Sequence, residues 1–523
     1  MKKSIIRLIL FTVMLLPAAA SCEKWLEATS SSQIAAEKLF STRSGFHEAL
    51  IGVYLKMGQP AAYGANYTFL VNDLVCCPYS THNASLIKGF QQNLFGAVLV
   101  EPYMEEMWSG GYSIIANINK TLFELERRRD VVPDELEYNL IKGELLAARA
   151  YVHFDLMRMF GLDSWVGENA DKVTVPYVTQ YSSEPTPQKT YAQTAELLVK
   201  DINDALECLK DDPVRGKVRD DFEATINADG FWNDRAKRLN YYAVEALLAR
   251  VHLWRRDYVS AGQMAADVAA NALDKGLVKW IDVSAFQQQT EYDYRDWTFS
   301  CEHLFSLEIT NLYSNLAVYH FPSLVSDAVL VSEGAVQELF MDFSLYGSDA
   351  DFLHEDVRGP AGLLKYTTSG YQMYKFYSSN GYQEAFRGRM PMIKLPEMYL
   401  IQAEAALHAF DYEGALAFVD QVRYHRGVST PIAEVMPIIL PEQSYFGRDQ
   451  QIASVIFREY LTELLGEGQF LYAVKRFYGE YGRSLFSMNA NVINRSAKIG
   501  GSTVSIMYPY PVSETTYGRV QEQ

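Results

Sequence analysis

Residues 143 to 161 read GELLAARAYVHFDLMRMFG, and the spacing of their apolar side chains decides the fold class. Leu145, Ala148, Val152, Leu156 and Met159 mark one stripe at helical spacing, while Leu146, Ala150, Phe154 and Met157 mark a second. A helix with one apolar stripe lies on a surface, whereas one that is apolar nearly all round is covered on every side. The stretch is expected to be a central helix of a mainly α-helical protein, stopped at Gly161.

Working outward, helical periodicity recurs around 109 to 127, 190 to 210, 239 to 256, 259 to 272, 396 to 409, 412 to 425 and 450 to 477. Two of these regions repeat each other. ARVHLWRRDYVSAGQMAADV (249 to 268) lies over AEAALHAFDYEGALAFVDQV (403 to 422), with Ala249 and Ala403, Leu253 and Leu407, Asp257 and Asp411, Tyr258 and Tyr412, Ala261 and Ala415 in register. Each reads as a helix, a tight turn at Asp-Tyr and a second helix opening with a small residue that permits close packing, the logic of tetratricopeptide-like hairpins. No fixed period runs through the chain, so the hairpins are dispersed. Between them, 57 to 107 and 277 to 390 are rich in Gly, Ser, Asn, Asp and aromatics and lack sustained periodicity, as expected of long ordered loops with short strands or helices. Loops on a rigid scaffold are the usual place for binding groups.

The first residues carry Lys2, Lys3 and Arg7, then a nine-residue apolar run and the small-residue stretch Pro17 to Ser21, which is the form of a secretory signal. The run is far short of the roughly 20 residues that span a bilayer. Cys22, directly after the small residues, is where lipoprotein processing would cut and attach lipid, so residues 1–21 read as a lipoprotein signal peptide and 22–523 as a single anchored domain. With 47 basic against 64 acidic residues and a net charge of −17, no basic face matches nucleic-acid phosphates. Tyrosines number 35 against 27 phenylalanines, an excess of rings with a hydrogen-bonding edge that suits wet binding surfaces. Beyond Cys22, Cys76, Cys77, Cys208 and Cys301 are too few for a disulfide framework and read as small buried hydrophobes, with room for one long-range disulfide.

No HExxH, GxSxG, P-loop or dinucleotide fingerprint is present, and no cofactor or metal is expected. His153, on the central helix, reads as a satisfied core residue. The acidic stretch GSDADFLHED (347 to 356) fails the pattern of a calcium loop. Glu397 and Glu404 lie seven residues apart on one helix, about 10 Å, beyond the usual spacing of a glycosidase pair. Glu459, Glu463 and Glu467 share a helical face and are expected to form a structural network with Arg458, Lys475 and Arg476.

An ordered series of motifs runs along the chain: CEKWLE followed by EKLFSTRSGFHEALIGVY, WSGGYSIIANINKTL, GELLAARAYVHFDLMRMFG with VPYV after it, TYAQTAELLVKDINDALECL, EHLFSL, DVR at 356 to 358, KLPEMYLIQAEAALHAFDYEGALAFVDQVRYHRGV and YPYPVSE. Together they resemble the SusD/RagB family of outer-membrane nutrient-binding lipoproteins of Bacteroidetes. The chain departs from the family at EGQFLYAVKR, where Phe470 and Ala473 stand in place of an Arg and an Asp, as if an ion pair had been exchanged for an apolar contact. The resemblance implies a SusD-like α-α superhelix of tetratricopeptide-like hairpins, with loop insertions carrying the ligand surface. It also implies a lipid-anchored outer-membrane location, facing the exterior, and a SusC-like TonB-dependent transporter as partner, with the hairpins towards it and an oligosaccharide or peptide as ligand. Sugar rings pack a C–H face on aromatic planes and offer hydroxyls to amides and carboxylates. The loops supply Tyr63, Tyr67, Asn72, Asp73 and Tyr79 in the first insertion and Trp297, Tyr313 and Tyr319 in the second. A glycan-active hydrolase and a tetratricopeptide-like interaction scaffold are the alternatives.

Overall fold

The computed structural model describes residues 36–80, 85–216, 218–290, 294–322, 328–340, 355–378, 388–434, 447–488 and 506–517. The leader with Cys22 and most of the acidic stretch 347 to 356 lie outside them. Among the described residues, the helices of nine residues or more are α1 (Arg43–Met57), α2 (Glu101–Arg127), α3 (Glu135–Phe160), α4 (Tyr191–Cys208), α5 (Tyr241–Trp254), α6 (Tyr258–Asp274), α7 (Leu312–His320), α8 (Leu395–His408), α9 (Tyr412–Tyr424), α10 (Arg448–Leu464) and α11 (Phe470–Met488). From α2 to α6 each helix packs mainly on its neighbours in sequence, α6 then meets α8, and α10 lies across α8 and α9. The result is the expected mainly helical stack of hairpins. The insertions add two antiparallel sheets. One pairs β2 (His303–Glu308) with β6 (Arg389–Lys394), and the other has the order β1 (Tyr79–Ser80), β3 (Leu330–Val331), β5 (Gly370–Met373), β4 (Leu364–Thr367), which ties the first insertion to the second.

The central helix is α3. Asp134 caps it by accepting from the amides of Leu136 and Glu137, and every residue from Gly143 to Phe160 is buried. Its polar side chains all find partners, as burial requires. Arg149 forks onto Asp201 at 2.7 and 2.8 Å, and Glu144 accepts from Arg235 and Arg238. Burial pushes the His153 imidazole down to about 3, so the ring is neutral: Nε2 accepts from the Val178 amide and Nδ1 donates to the Arg149 carbonyl. Gly161 ends the helix by close approach, not by a left-handed turn, because a Cβ there would lie 2.2 Å from the Met157 carbonyl oxygen.

Lys475, reaching in from α11, donates to the carbonyls of Arg158 and Gly161 and so caps the C-terminus of α3. Burial pushes its amine down from 10.5 to about 7. The unfolded chain therefore keeps a proton up to pH 10.5 that the native protein has lost above about 7, so stability from this group rises with pH across that window. Urea unfolding of the wild type should strengthen relative to Lys475→Met between pH 7 and 9.5, approaching about 1.4 kcal/mol per pH unit. Parallel pH profiles for the two proteins would refute the assignment.

The aligned hairpins are built alike. Asp257 and Asp411 cap α6 and α9, accepting from the amides of Ser260 and Gly414, and the residue before each, Arg256 and Phe410, has φ near +60°. One expectation fails between 450 and 477, where a single helix is replaced by α10 and α11 with a break at 465 to 469. Gly466 and Gly468 take φ of +85° and +72°, which glycine adopts without cost. Their amides donate to the buried Asp73 carboxylate at 2.6 and 2.8 Å.

The break redirects the acidic residues. Glu467 turns to Lys375 and Lys394 at 2.6 and 2.7 Å, Glu463 to Lys394 and Arg426, and Glu459 to Arg358, all buried. The network is structural as expected, but its partners are different. Arg458 pairs with Glu338, and Arg476 with Glu404. Glu397 is held by Arg250, so neither carboxylate of the Glu397 and Glu404 pair is unengaged. Phe470 is fully buried, its ring 5.0 Å from that of Phe457, an apolar contact in place of charge. Cys76, Cys77, Cys208 and Cys301 are free thiols, so no disulfide joins them; the sulfurs of Cys76 and Cys77 stand 4.0 Å apart.

Candidate functional site

Most of the rings and polar groups picked from the first insertion are internal. Tyr63, Tyr67, Asn72 and Asp73 expose no surface and Tyr79 only 7%. Tyr63 donates to Asp155 at 2.8 Å, Tyr67 to the Met107 carbonyl, and Tyr79 to Asp73 at 2.9 Å. Asn72 donates to the Tyr67 carbonyl and accepts from Tyr508, both at 2.9 Å. Burial pushes the Asp73 carboxyl up to about 7 against the hydrogen bonds it accepts. These groups lock the first insertion onto α2, α3 and the turn between α10 and α11. They do not form a surface for a ligand, which corrects the expectation from sequence.

The second insertion holds a different arrangement. Trp297, 3% exposed, sits in a small core of its own with Phe286, Phe299, Val357 and Leu363. Above it four half-buried rings gather: Tyr313 from α7, Phe321 just past its end, and Tyr374 and Tyr377 following β5. Tyr374 and Tyr377 stack at 4.8 Å and 29°, and Phe321 meets their edges at 5.3 and 5.5 Å. Tyr313 closes the group, 5.8 Å from Phe321 and 5.7 Å from Tyr377, and Trp297 lies beneath, 5.7 Å from Tyr374.

The chain after β5 explains how these rings are presented. Tyr374 and Tyr377 stay partly exposed while Lys375 and Phe376 between them point inward. The buried Lys375 amine donates to the carbonyls of Glu463 and Leu465 at 2.8 and 2.9 Å, so the platform is fastened to the end of α10. Gln372 adds a bond to the His320 carbonyl at the end of α7. Such a patch gathers apolar ring surface with phenol groups able to hydrogen-bond.

Of the sequence candidates, then, Trp297 and Tyr313 come together, with Trp297 as floor. Tyr319 goes elsewhere: six residues from Tyr313, about 240° round the helix, its hydroxyl is bonded to that of Tyr103 on α2. Phe321, Tyr374 and Tyr377 escaped the sequence reading, although YQMYKFY (371 to 377), four rings in seven residues, was the available signal. Among the described residues no group of His, Cys, Asp or Glu is placed to hold a metal, and no helix is long and apolar enough to cross a membrane.

Residues 24–224 match the SusD-like family profile described as starch-binding and associating with the outer membrane, and residues 350–516 match that of the SusD family. No curated protein matches the sequence. A SusD superfamily protein of Bacteroides thetaiotaomicron shares 21% identity over 91% of this chain and 98% of its own, with a TM-score of 0.64. One from Bacteroides fragilis shares 19% over 91% and 98%, with a TM-score of 0.63. A SusD-like carbohydrate binding protein of Bacteroides vulgatus shares 18% over 83% of both chains, with a TM-score of 0.59. At these identities the structures establish the fold and leave the ligand open. With both ends of the sequence matching SusD profiles and the whole fold shared, the chain belongs to the SusD/RagB family.

Proposed function

We propose that this protein is a non-catalytic nutrient-binding lipoprotein of the outer membrane that captures an oligosaccharide on the aromatic platform and passes it to a SusC-like TonB-dependent transporter. In this reading residues 1–21 are removed, Cys22 carries the lipid, and 22–523 form a single domain facing the cell exterior. The observation that carries it is the platform itself: Tyr313, Phe321, Tyr374 and Tyr377, half-buried and packed on one another, fastened by Lys375 to the helical scaffold. Rigid rings bury area on a sugar face at little cost in side-chain entropy. The starch-binding description of the family profile matched by residues 24–224 supports the choice of sugar over peptide. Engagement of Glu397, Glu404, Glu459, Glu463 and Glu467 in ion pairs favours binding over hydrolysis.

Calorimetric titration of the purified protein with starch-derived and other neutral oligosaccharides tests the reading. Tyr377→Ala should weaken the bound sugar by about 1.5 kcal/mol, roughly tenfold in Kd, while Tm stays close to wild type. Equal affinity in that variant, or turnover of the glycan by the wild type, would end it.

A further inference from the structure

Five helices converge on a cavity of about 20 Å³ inside the scaffold. Its wall includes Arg158 from α3, Arg250 and Trp254 from α5, Glu397 from α8, Tyr460 from α10 and Arg476 from α11. The volume is room for one water or one small ion. All six side chains are buried, Arg476 nearly so.

Two of them carry donors that the protein leaves unanswered. Arg158 pairs with Asp155 through Nη2, and its guanidinium carbon lies 3.5 Å from the centre of the Tyr472 ring and 5.7 Å from that of Trp254. Its Nε–H and the indole N–H of Trp254 find no hydrogen-bond partner among the described residues. A buried donor without an acceptor has given up its hydration with nothing in exchange. Tyr460 adds a buried hydroxyl, with Glu404 as its neighbour.

The charges of the wall decide what such donors would hold. Three arginines, Arg158, Arg250 and Arg476, stand against the single carboxylate of Glu397, whose two oxygens both accept from Arg250. Asp155 and Glu404, bonded to Arg158 and Arg476, are not among the lining groups. A water must donate as well as accept, and the carboxylate here is already engaged. A monovalent anion accepts from every donor and has none of its own to satisfy.

We infer that this cavity binds a chloride-sized monovalent anion, held by the Nε–H of Arg158 and the indole N–H of Trp254 in the field of three guanidinium groups. Leu464 and Gln469, on either side of the break between α10 and α11, belong to the same wall, so the ion ties that break to α3 and α5.

Crystals of the protein soaked in bromide should give an anomalous peak within hydrogen-bond reach of Arg158 Nε and Trp254 Nε1. In solution, Tm should be higher in sodium chloride than in sodium fluoride at equal ionic strength, by on the order of 2 °C once chloride is about 100 times its Kd. Trp254→Phe keeps a ring and removes the donor, and should lose that difference, whereas a general salt effect would persist. Equal Tm of the wild type in the two salts, or a difference unchanged in Trp254→Phe, would overturn the anion site. So would a water found in the cavity from chloride and bromide crystals alike. A bromide peak without chloride-dependent Tm would mark an adventitious ion only and overturn it as well. The two wild-type measurements decide the matter even where the variant fails to fold.

Discussion

Arg426→Met should destabilise the protein by about 3 to 5 kcal/mol in chemical denaturation, among the largest losses open to a single substitution here. Arg426 exposes no surface, and its guanidinium forks onto Glu302 at 2.8 and 2.5 Å and onto Glu463 at 3.0 Å. Glu302 and Glu463 are just as deep. Burial holds the Glu302 carboxyl above its usual value, whereas Arg426 and Lys394 together pull that of Glu463 well below. Removing Arg426 takes from Glu302 the guanidinium that holds both its oxygens, leaving it the Ile281 amide, and leaves Glu463 to Lys394 and a long contact with Arg358 at 3.3 Å. An isolated buried carboxylate costs several kcal/mol or must take up a proton. Arg426→Met/Glu302→Gln should recover a good part of the loss, because the charge left stranded is then absent. A loss below 1 kcal/mol in the single variant would show that the network is not what joins the second insertion to α10. The substitution also reaches the platform, since the Lys375 amine that fastens it bonds the carbonyl of the same Glu463.

How much of this could be read from the residues follows from what each signal measures. Apolar periodicity reports burial on a helix, and α3 came out as read, buried from Gly143 to Phe160. The alignment of 249 to 268 on 403 to 422 placed both turns correctly because the Asp in each is a helix cap, a local device with a fixed position. The break after Leu464 was missed because its apolar spacing continues across it; the positive φ of Gly466 and Gly468 is imposed by contact with Asp73, nearly four hundred residues away in sequence. The tyrosine excess was misread for a similar reason. A phenol buried beside an acceptor and a phenol at a wet surface look alike in sequence, and Tyr63, Tyr67, Tyr151 and Tyr177 all turn out to donate to internal carboxylates or carbonyls. Ion-pair partners were the least legible, because Arg358, Lys394 and Arg426 reach Glu459, Glu463 and Glu467 only through the tertiary fold.

Trp297→Ala should cost about 3 to 5 kcal/mol, the range for deleting a buried aromatic side chain, and should abolish ligand binding as well. Trp297 is 3% exposed, crosses Phe286 edge-on at 5.9 Å, and supports Tyr374 from below. The core it belongs to is separate from the main one, so the loss should fall on the second insertion first. Far-UV circular dichroism of the helices should survive to nearly the wild-type Tm, while tyrosine fluorescence from the platform changes at a lower temperature. Trp297→Phe keeps a ring in the floor and should restore most of the stability and part of the affinity. The contrast with Tyr377→Ala separates support from contact: one variant loses binding through the floor and unfolds early, the other binds about tenfold more weakly with its melting intact. If Trp297→Ala bound sugar normally and melted as wild type, the small core would not be what positions the rings, and the platform would have to draw its rigidity from Lys375 alone.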